Sequence, residues 1–413
     1  MRGARSSQTS PAVPIPILLI EDNLEFAGLV EAILGTGSIA FKVHCADKLQ
    51  AGLEILATEE IALVLCDLTL EDSSGRETFD RVRTAAPGVP VIVLSGLDDE
   101  SLAVETVRLG AQDYLVKGQF DTQSLARAVR YGLERNALES QLAAYAEELR
   151  RKNAEMEAEL KMARELQRAY LPEQHRRFPA AGRAGSEIHL SYRYQPASKI
   201  GGDFFDIVEI SETEIGVFIC DVMGHGVRAA LVSAILRGLV EELKPVAGNA
   251  GAFLSAVNRG LLSSLAHAED QIFATGFYMV LDLARQELHF ANAGHPSPLC
   301  LNRATGTATP IRPPNRGCGP VLGMFGGARY EVFHKALGPE DLLVLFTDGL
   351  YEVEDGNREP YSMESLPAAL ERRSLLEPAE LFDDLLAEIQ EFSANHEFED
   401  DVCLVGLEVK SGG

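Results

Sequence analysis

Glu21, Asp22, Asp67, Ser95 and Lys117 each stand where a short apolar run ends, and Asp203, Asp221, Asp348 and Asp400 border further runs. Carboxylates that meet at one edge repel each other unless a divalent cation lies among them, and hard oxygen donors suit Mg²⁺. In the first set, Ser95 and Lys117 add a hydroxyl and an ammonium able to hold phosphoryl oxygens. Asp67 is then the nucleophile, giving an aspartyl phosphate. The second set lies in Gly201-Gly202-Asp203, Asp221-Val-Met-Gly-His-Gly, Phe346-Thr-Asp348-Gly and Glu399-Asp400-Asp401. It has no Cys or Ser nucleophile constellation beside it and no Gly-x-x-x-x-Gly-Lys phosphate loop. Two Mg²⁺ or Mn²⁺ sharing a bridging carboxylate resolve its repulsion and favour metal-activated water over covalent catalysis.

The elements that must position these residues follow from the hydrophobic pattern. Apolar runs at 17–20, 41–45, 61–66, 91–94 and 114–116 alternate with amphipathic stretches near 24–34, 47–57, 75–85, 100–109 and 121–135. Five strand-then-helix repeats predict a doubly wound, five-stranded parallel sheet covered on both faces, with ligands at the carboxyl ends of its strands. From 130 to 172, Leu138, Leu142, Tyr145, Leu149, Met156, Ala163, Leu166 and Tyr170 recur on steps of four and three, with Lys152 and Glu159 at the two polar places. That period is a coiled-coil seam, which a parallel homodimer buries most simply. Pro172 stops the helix. Beyond it, strands at 188–194, 204–210, 215–220, 273–283, 287–291, 342–346 and 402–409 combine with helical stretches at 226–243, 251–266, 362–373 and 378–394. This α+β pattern predicts two antiparallel sheets packed together with helices outside.

The motifs Leu-Ile-Glu21-Asp22-Asn, Leu-Cys-Asp67-Leu, Val-Leu-Ser95-Gly and Tyr114-Leu-Val-Lys117 resemble, over 15–136, the receiver domain of bacterial response regulators. The resemblance implies phosphotransfer from a cognate histidine kinase onto Asp67, with Mg²⁺ held by Glu21, Asp22, Asp67 and the backbone carbonyl of Thr69. It makes Ser95 and Tyr114 the pair that reorients on phosphorylation. Gly118 departs from the proline usual after the family's lysine.

The second set of motifs, with Ala163-Arg-Glu-Leu-Gln167-Arg-Ala-Tyr-Leu-Pro172 and Ala291-Asn-Ala-Gly-His295-Pro, resembles a second family over about 161–410. These are the metal-dependent Ser/Thr phosphatases of the protein phosphatase 2C type, in the bacterial SpoIIE branch. The resemblance implies that Asp221 bridges two Mn²⁺ or Mg²⁺, with the carbonyl of Val222 on one. Asp348 and Asp400 bind the other, and Asp203 holds metal-bound water. Asp401 replaces Asp400 if the final motif is shifted by one. Met223 stands where animal-type members carry a general-acid histidine, with His225 and His295 as possible substitutes, and no counterpart of the phosphate-binding arginine is evident.

Together these readings predict a leader at 1–14, a receiver at 15–136, a linker helix at 137–172 and a phosphatase domain at 173–413. The implied reaction is dephosphorylation of phosphoserine or phosphothreonine on a protein, by family analogy an anti-sigma-factor antagonist, under control of Asp67. The alternative is a catalytically inactive, phosphorylation-gated adaptor. A net charge of −25 argues against nucleic-acid or anionic-membrane partners. That charge is concentrated from 340 to 413, where 20 acidic residues face 4 basic ones. The longest apolar run near the N-terminus, 15–20, is too short to span a bilayer. Six scattered cysteines without Cys-x-x-Cys spacing indicate reduced thiols and a cytoplasmic protein.

Overall fold

The computed structural model describes residues 13–36, 39–96, 100–179, 186–268, 271–313 and 317–411. The leader expected at 1–14 lies outside these as far as residue 12. The chain divides into two compact units, residues 1–154 and 155–413, and the division falls inside one helix.

In the first unit the apolar runs become β1 (Ile15–Ile20), β2 (Phe41–Ala46), β3 (Leu63–Asp67), β4 (Val91–Ser95) and β5 (Asp113–Val116). They are all parallel and lie in the order β2-β1-β3-β4-β5. Between them run α1 (Leu24–Gly35), α2 (Leu49–Thr58), α3 (Arg76–Ala85) and α4 (Glu100–Arg108). Successive strand residues feed opposite faces. Leu18, Ile20, Val64, Cys66 and Val93 pack with Phe79 and Val82, while Ile17, Leu19, Leu65, Ile92 and Leu94 pack with Val30, Leu125 and Val129. Asn23 starts α1 by accepting from the amides of Glu25 and Phe26.

The helix expected near 121–135 and the heptad rod form one element, α5 (Thr122–Tyr170). No proline interrupts this stretch, so the first unit's last helix runs on without a cap. Its first turns are anchored by Leu125, Ala128 and Val129. The heptad seam, by contrast, is open: Leu138, Leu142, Tyr145 and Leu149 are 59–68% exposed, and Met156 and Leu166 about as much.

The second unit contains β6 (Arg177–Phe178), β7 (Ser186–Gln195), β8 (Phe204–Glu209), β9 (Glu214–Val222), α6 (Val227–Glu242), α7 (Ala250–Ser264), β10 (Ala274–Asp282) and β11 (Glu287–Ala293). It continues with β12 (Leu299–Asn302), β13 (Thr307–Pro310), β14 (Phe333–Ala336), β15 (Asp341–Phe346), α8 (Leu366–Glu371), α9 (Pro378–Phe392) and β16 (Val402–Ser411). One antiparallel sheet runs β8-β9-β10-β11-β14 and the other β13-β12-β15-β16-β7-β6. Phe205, Val217, Ile219, Phe277 and Met279 meet Leu190, Leu343, Leu345, Val405 and Leu407 between the sheets. Helices α6 and α7 cover one outer face, with Leu236, Phe253 and Val257 against Phe218 and Tyr278. Helices α8 and α9 cover the other, with Leu370, Phe382 and Ile389 against Leu342, Val344 and Leu404. The result is an α-β-β-α sandwich. Strands β12, β13 and β14 are absent from the hydrophobic pattern because each is only four residues long, and the last two carry few apolar side chains.

Helices α8 and α9 are tied by charge as well as packing. Arg373 donates to Asp384 at 2.6 Å and to Glu388 at 2.8 Å, while Arg372 (2.9 Å) and Tyr361 (2.8 Å) also donate to Glu388. Partial burial opposes ionisation of Glu388, but these donors outweigh it and hold its carboxyl at about 2, against an ordinary 4.5. A depressed pKa contributes stability that is complete above 4.5 and is lost as pH falls toward about 2. Glu388→Gln should therefore destabilise the second unit at neutral pH, and the difference from wild type should shrink progressively as pH falls below 4.5. Calorimetry of the second unit's transition against pH checks this; a pH-independent difference would mean the ion-pair account is wrong.

Candidate active site

At the carboxyl ends of the parallel strands, Glu21, Asp22 and Asp67 each offer one oxygen, all within 4.8 Å of one another. Glu21 and Asp67 are nearly sealed from solvent, at 2% and 3% exposure. Burial, more than their mutual repulsion, raises both carboxyls above the usual range. Lys117 bridges them, with Nζ 2.8 Å from Glu21 Oε1 and 2.6 Å from Asp67 Oδ2, and lies 5.0 Å from the Phe26 ring centre. Burial works against the ammonium, but these hydrogen bonds prevail and raise its pKa. The Thr69 amide donates to Asp67 Oδ1 at 3.1 Å. Ser95 Oγ is buried without a hydrogen-bond partner among the described residues, and half-buried Tyr114 packs against the core beneath β5. An orphaned hydroxyl beside a carboxylate and an ammonium is a cradle for a tetrahedral oxyanion. Gly118 sits at φ 80°, which a proline ring cannot reach, so the residue after the lysine has to differ here.

In the second unit, the aspartates gather at one end of the sandwich. Asp221 leaves β9, Asp348 follows β15 in a short 3-10 turn, Asp400 precedes β16, and Asp203 precedes β8. Burial raises the Asp221 carboxyl to about 7, aided by Asp348, Asp400, Asp401 and Glu352, all of them negative. Burial and then Asp221 raise Asp203, which is 3% exposed. Asp348 is raised by burial and by Asp400. Among the described residues, these aspartates do not close to the 4.8 Å spacing of the receiver trio. They line a wider cleft.

Their positions are set by residues far away in sequence. Thr347 Oγ donates to Asp203 Oδ2 at 2.6 Å and accepts from the Cys403 amide at 2.9 Å, so β15 and β16 jointly fix that carboxylate. Asp401 is already engaged: its oxygens accept from the amides of Ala197 (2.8 Å) and Gly202 (2.5 Å). Asp400 is exposed, and one of its oxygens accepts from the Asp401 amide. The two residues of this motif therefore divide, with Asp400 exposed and acting on Asp221 and Asp348, and Asp401 holding the opposite loop. The Val222 carbonyl lies against Gly202, where a Cβ would come within 2.9 Å of it, so only glycine allows the approach.

Sequence reasoning missed Thr347 and Glu352. Glu352 was within reach, since its amide returns to the Asp348 carbonyl at 2.9 Å and the two stand four residues apart. His295 is fully buried, which pushes it down to about 3, and its Nδ1 lies 2.8 Å from Thr275 Oγ. It is a neutral structural ring. His225 stands exposed on the turn before α6.

Residues 17–130 match the response regulator receiver domain, and residues 211–410 match Stage II sporulation protein E (SpoIIE). The chain carries a receiver domain at 17–130 and a SpoIIE domain at 211–410. It is 27% identical over 258 residues to the phosphoserine phosphatase RsbP of Bacillus subtilis, covering 61% of this chain and 58% of that protein. It is 28% identical over 241 residues to the Regulator of RpoS of Escherichia coli, covering 57% of this chain and 68% of that one. The chain thus spans little more than half the length of RsbP. The SiaA-PP2C domain of Pseudomonas aeruginosa superimposes with a TM-score of 0.52 at 19% identity, over 62% of this chain and 98% of that domain. That likeness gives the SpoIIE domain the PP2C-type fold.

The division between Asp400 and Asp401 is measurable. Asp401→Ala strands the buried Gly202 amide, at about 1–3 kcal/mol, releases the exposed Ala197 amide, and should lower the melting temperature of the SpoIIE domain. Asp400→Ala should change stability by no more than about 0.5 kcal/mol. Equal melting temperatures for the two variants would refute the assignment.

Proposed function

We propose that this chain is a metal-dependent protein serine/threonine phosphatase whose rate is governed by phosphorylation of Asp67. The observation that carries the reading is the crowding of Asp203, Asp221, Asp348 and Asp400 into one place, where the charges acting most strongly on Asp221 are all negative. Five carboxylates, counting Glu352, are an all-oxygen donor set that fits Mg²⁺ or Mn²⁺ and no softer ion. Their wider spread suits two ions sharing Asp221 better than one.

When bound, such ions acidify water and offset charge on the phosphoryl oxygens. Asp221, the Val222 carbonyl, Asp348 and Asp400 are the residues that would hold them. Asp203, fixed by Thr347, is placed to orient the attacking water. In the receiver, Glu21, Asp22, Asp67 and the Thr69 carbonyl would hold Mg²⁺, Lys117 and Ser95 would take the phosphoryl oxygens, and Tyr114 would follow Ser95 when Asp67 is modified. We take a histidine kinase as the phosphoryl donor to Asp67. The relatives named as phosphoserine phosphatases, RsbP and RsbU, support a phosphorylated protein as substrate, and we assign an anti-sigma-factor antagonist in the cytoplasm. Among the described residues no helix is long and apolar enough to cross a membrane.

The segment 137–172 is the natural coupler. Gln167 near its end clasps the loop before Asp203, donating to the Gly201 carbonyl at 2.7 Å and accepting from the Gly201 amide at 3.2 Å. Its open seam is the surface through which we infer a parallel homodimer.

Mn²⁺-dependent phosphate release from a phosphoserine peptide should fall at least about a hundredfold in Asp221→Asn. Beryllofluoride should alter the wild-type rate and leave Asp67→Asn unchanged. Equal rates for wild type and Asp221→Asn would leave the adaptor reading in its place. In sedimentation the full chain should run as a dimer, and Leu142→Glu with Leu149→Glu should run as a monomer; a wild-type monomer at high concentration would exclude the seam as an interface.

A further inference from the structure

A second cluster of ligating atoms stands on the outer part of the β8-β9-β10-β11-β14 sheet and has no part in the proposed hydrolysis. Glu287 and His289 are two apart on β11, with buried Leu288 and Phe290 on either side of His289 facing the sheet-sheet core. They therefore project together from the other face. On the edge strand β14, His334 pairs directly with His289, and the two ring centres are 4.5 Å apart at 73°. One ligating atom from each of Glu287, His289 and His334 lies within 4.8 Å of the others.

We propose that Glu287, His289 and His334 bind one borderline transition-metal ion, with Zn²⁺ the preferred species, and that the ion fastens edge strand β14 to β11. Two imidazoles and a carboxylate match the donors such ions favour, whereas Mg²⁺ prefers the oxygen-only clefts described above. Ligands around tetrahedral Zn²⁺ stand roughly 3.4 Å apart. The present spacing closes to that by rotating side chains of which two, Glu287 and His334, are exposed. No backbone need move, because the strands are already in register.

The surroundings do not compete. Lys335 pairs with Leu288 and so belongs to the opposite face, and Ala336 faces Glu287 across the ladder. Asp282 pairs with Glu287 from β10, but it is buried and accepts from the Arg285 amide at 2.9 Å. Val280, opposite His289, is apolar. The fourth coordination position is left to water. Strand β14 is four residues long and sits at the sheet edge, so a metal clip adds to the few backbone bonds that hold it.

Co²⁺ titration of the full-length protein in excess Mg²⁺ tests this, because Mg²⁺ fills the oxygen-donor sites first. The expected result is one equivalent of Co²⁺ with the strong visible absorption of four-coordinate cobalt, displaced by one equivalent of Zn²⁺. The absorption should persist in Asp221→Asn and vanish in His289→Ala combined with His334→Ala, with the circular dichroism of that variant unchanged. Zn²⁺ should raise the melting temperature of the SpoIIE domain in wild type and not in the double-histidine variant. No absorption in wild type, absorption that survives the double substitution, or a near-ultraviolet thiolate band placing the ion on exposed Cys45 or Cys318 would each overturn the proposal. The Asp221→Asn arm keeps the outcome separate from that of the phosphatase reading.

Discussion

Carboxylates brought together away from water are the constraint from which the rest of this molecule can be understood. Removing an anion from solvent costs several kcal/mol even after relaxation, and each neighbour of like sign adds to that. The receiver meets the cost partly from its own chain, since Lys117 contacts both Glu21 and Asp67. In the SpoIIE domain, the neighbours acting on Asp221 are Asp348, Asp400, Asp401 and Glu352, and its carboxyl rises to about 7. A fold that tolerates this must hold the charges in place with interactions made elsewhere. The core between the two sheets and the two helical layers outside them supply those interactions.

How the fold imposes the positions is specific. The loop from Ala197 to Asp203 contains no regular structure, yet it is held from three directions. Asp401 takes the amides of Ala197 and Gly202, Gln167 takes both backbone groups of Gly201, and Thr347 takes the Asp203 carboxylate. Each partner comes from a different element, so the cleft forms only once α5, β15 and β16 are assembled. Hydrogen bonds to ionised groups are stronger than neutral ones, roughly 1.5–3 kcal/mol. Three of them on one loop are enough to fix it without a helix or strand.

What could be read from the sequence divides along physical lines. Strands β1, β3 and β4 are continuous apolar runs because both faces are buried, and the polar residues that end them, Glu21, Asp67 and Ser95, point to ligand chemistry directly. Asp203, Asp221, Asp348 and Asp400 were legible for the same reason, since each borders a core strand. The partners that position them were not. Thr347 and Gln167 act through pairings across tens to hundreds of residues, and nothing local marks a threonine as the anchor of an aspartate 144 residues away. The His289–His334 pair was hidden more deeply, because it depends on the register of β14, a strand whose own residues give no alternating signal. The join between α5's two parts was missed for a simpler reason: a domain's last helix and a linker look like separate elements until no breaker is found between them.

The seam on α5 shares its helix with Gln167, which reaches the loop before Asp203. Full burial of a leucine-sized side chain is worth about 1.5–3 kcal/mol, so Leu138, Leu142, Leu149, Met156 and Leu166 together represent a gain that exceeds the lower estimates of the cost of association, about 4 kcal/mol upward. A coiled coil fixes the rotational phase of its helices, because each knob has one hole. Gln167 follows the seam residue Ala163 by four positions and therefore lies on the same side of the helix. Both are half-buried, whereas Leu166 and Tyr170 of the same seam stay exposed. A rotation of α5 that improved the fit of the seam would move Gln167 relative to Gly201, and Gly201 lies two residues from Asp203. One amide side chain is thus enough to tie the helix to the backbone that carries Asp203.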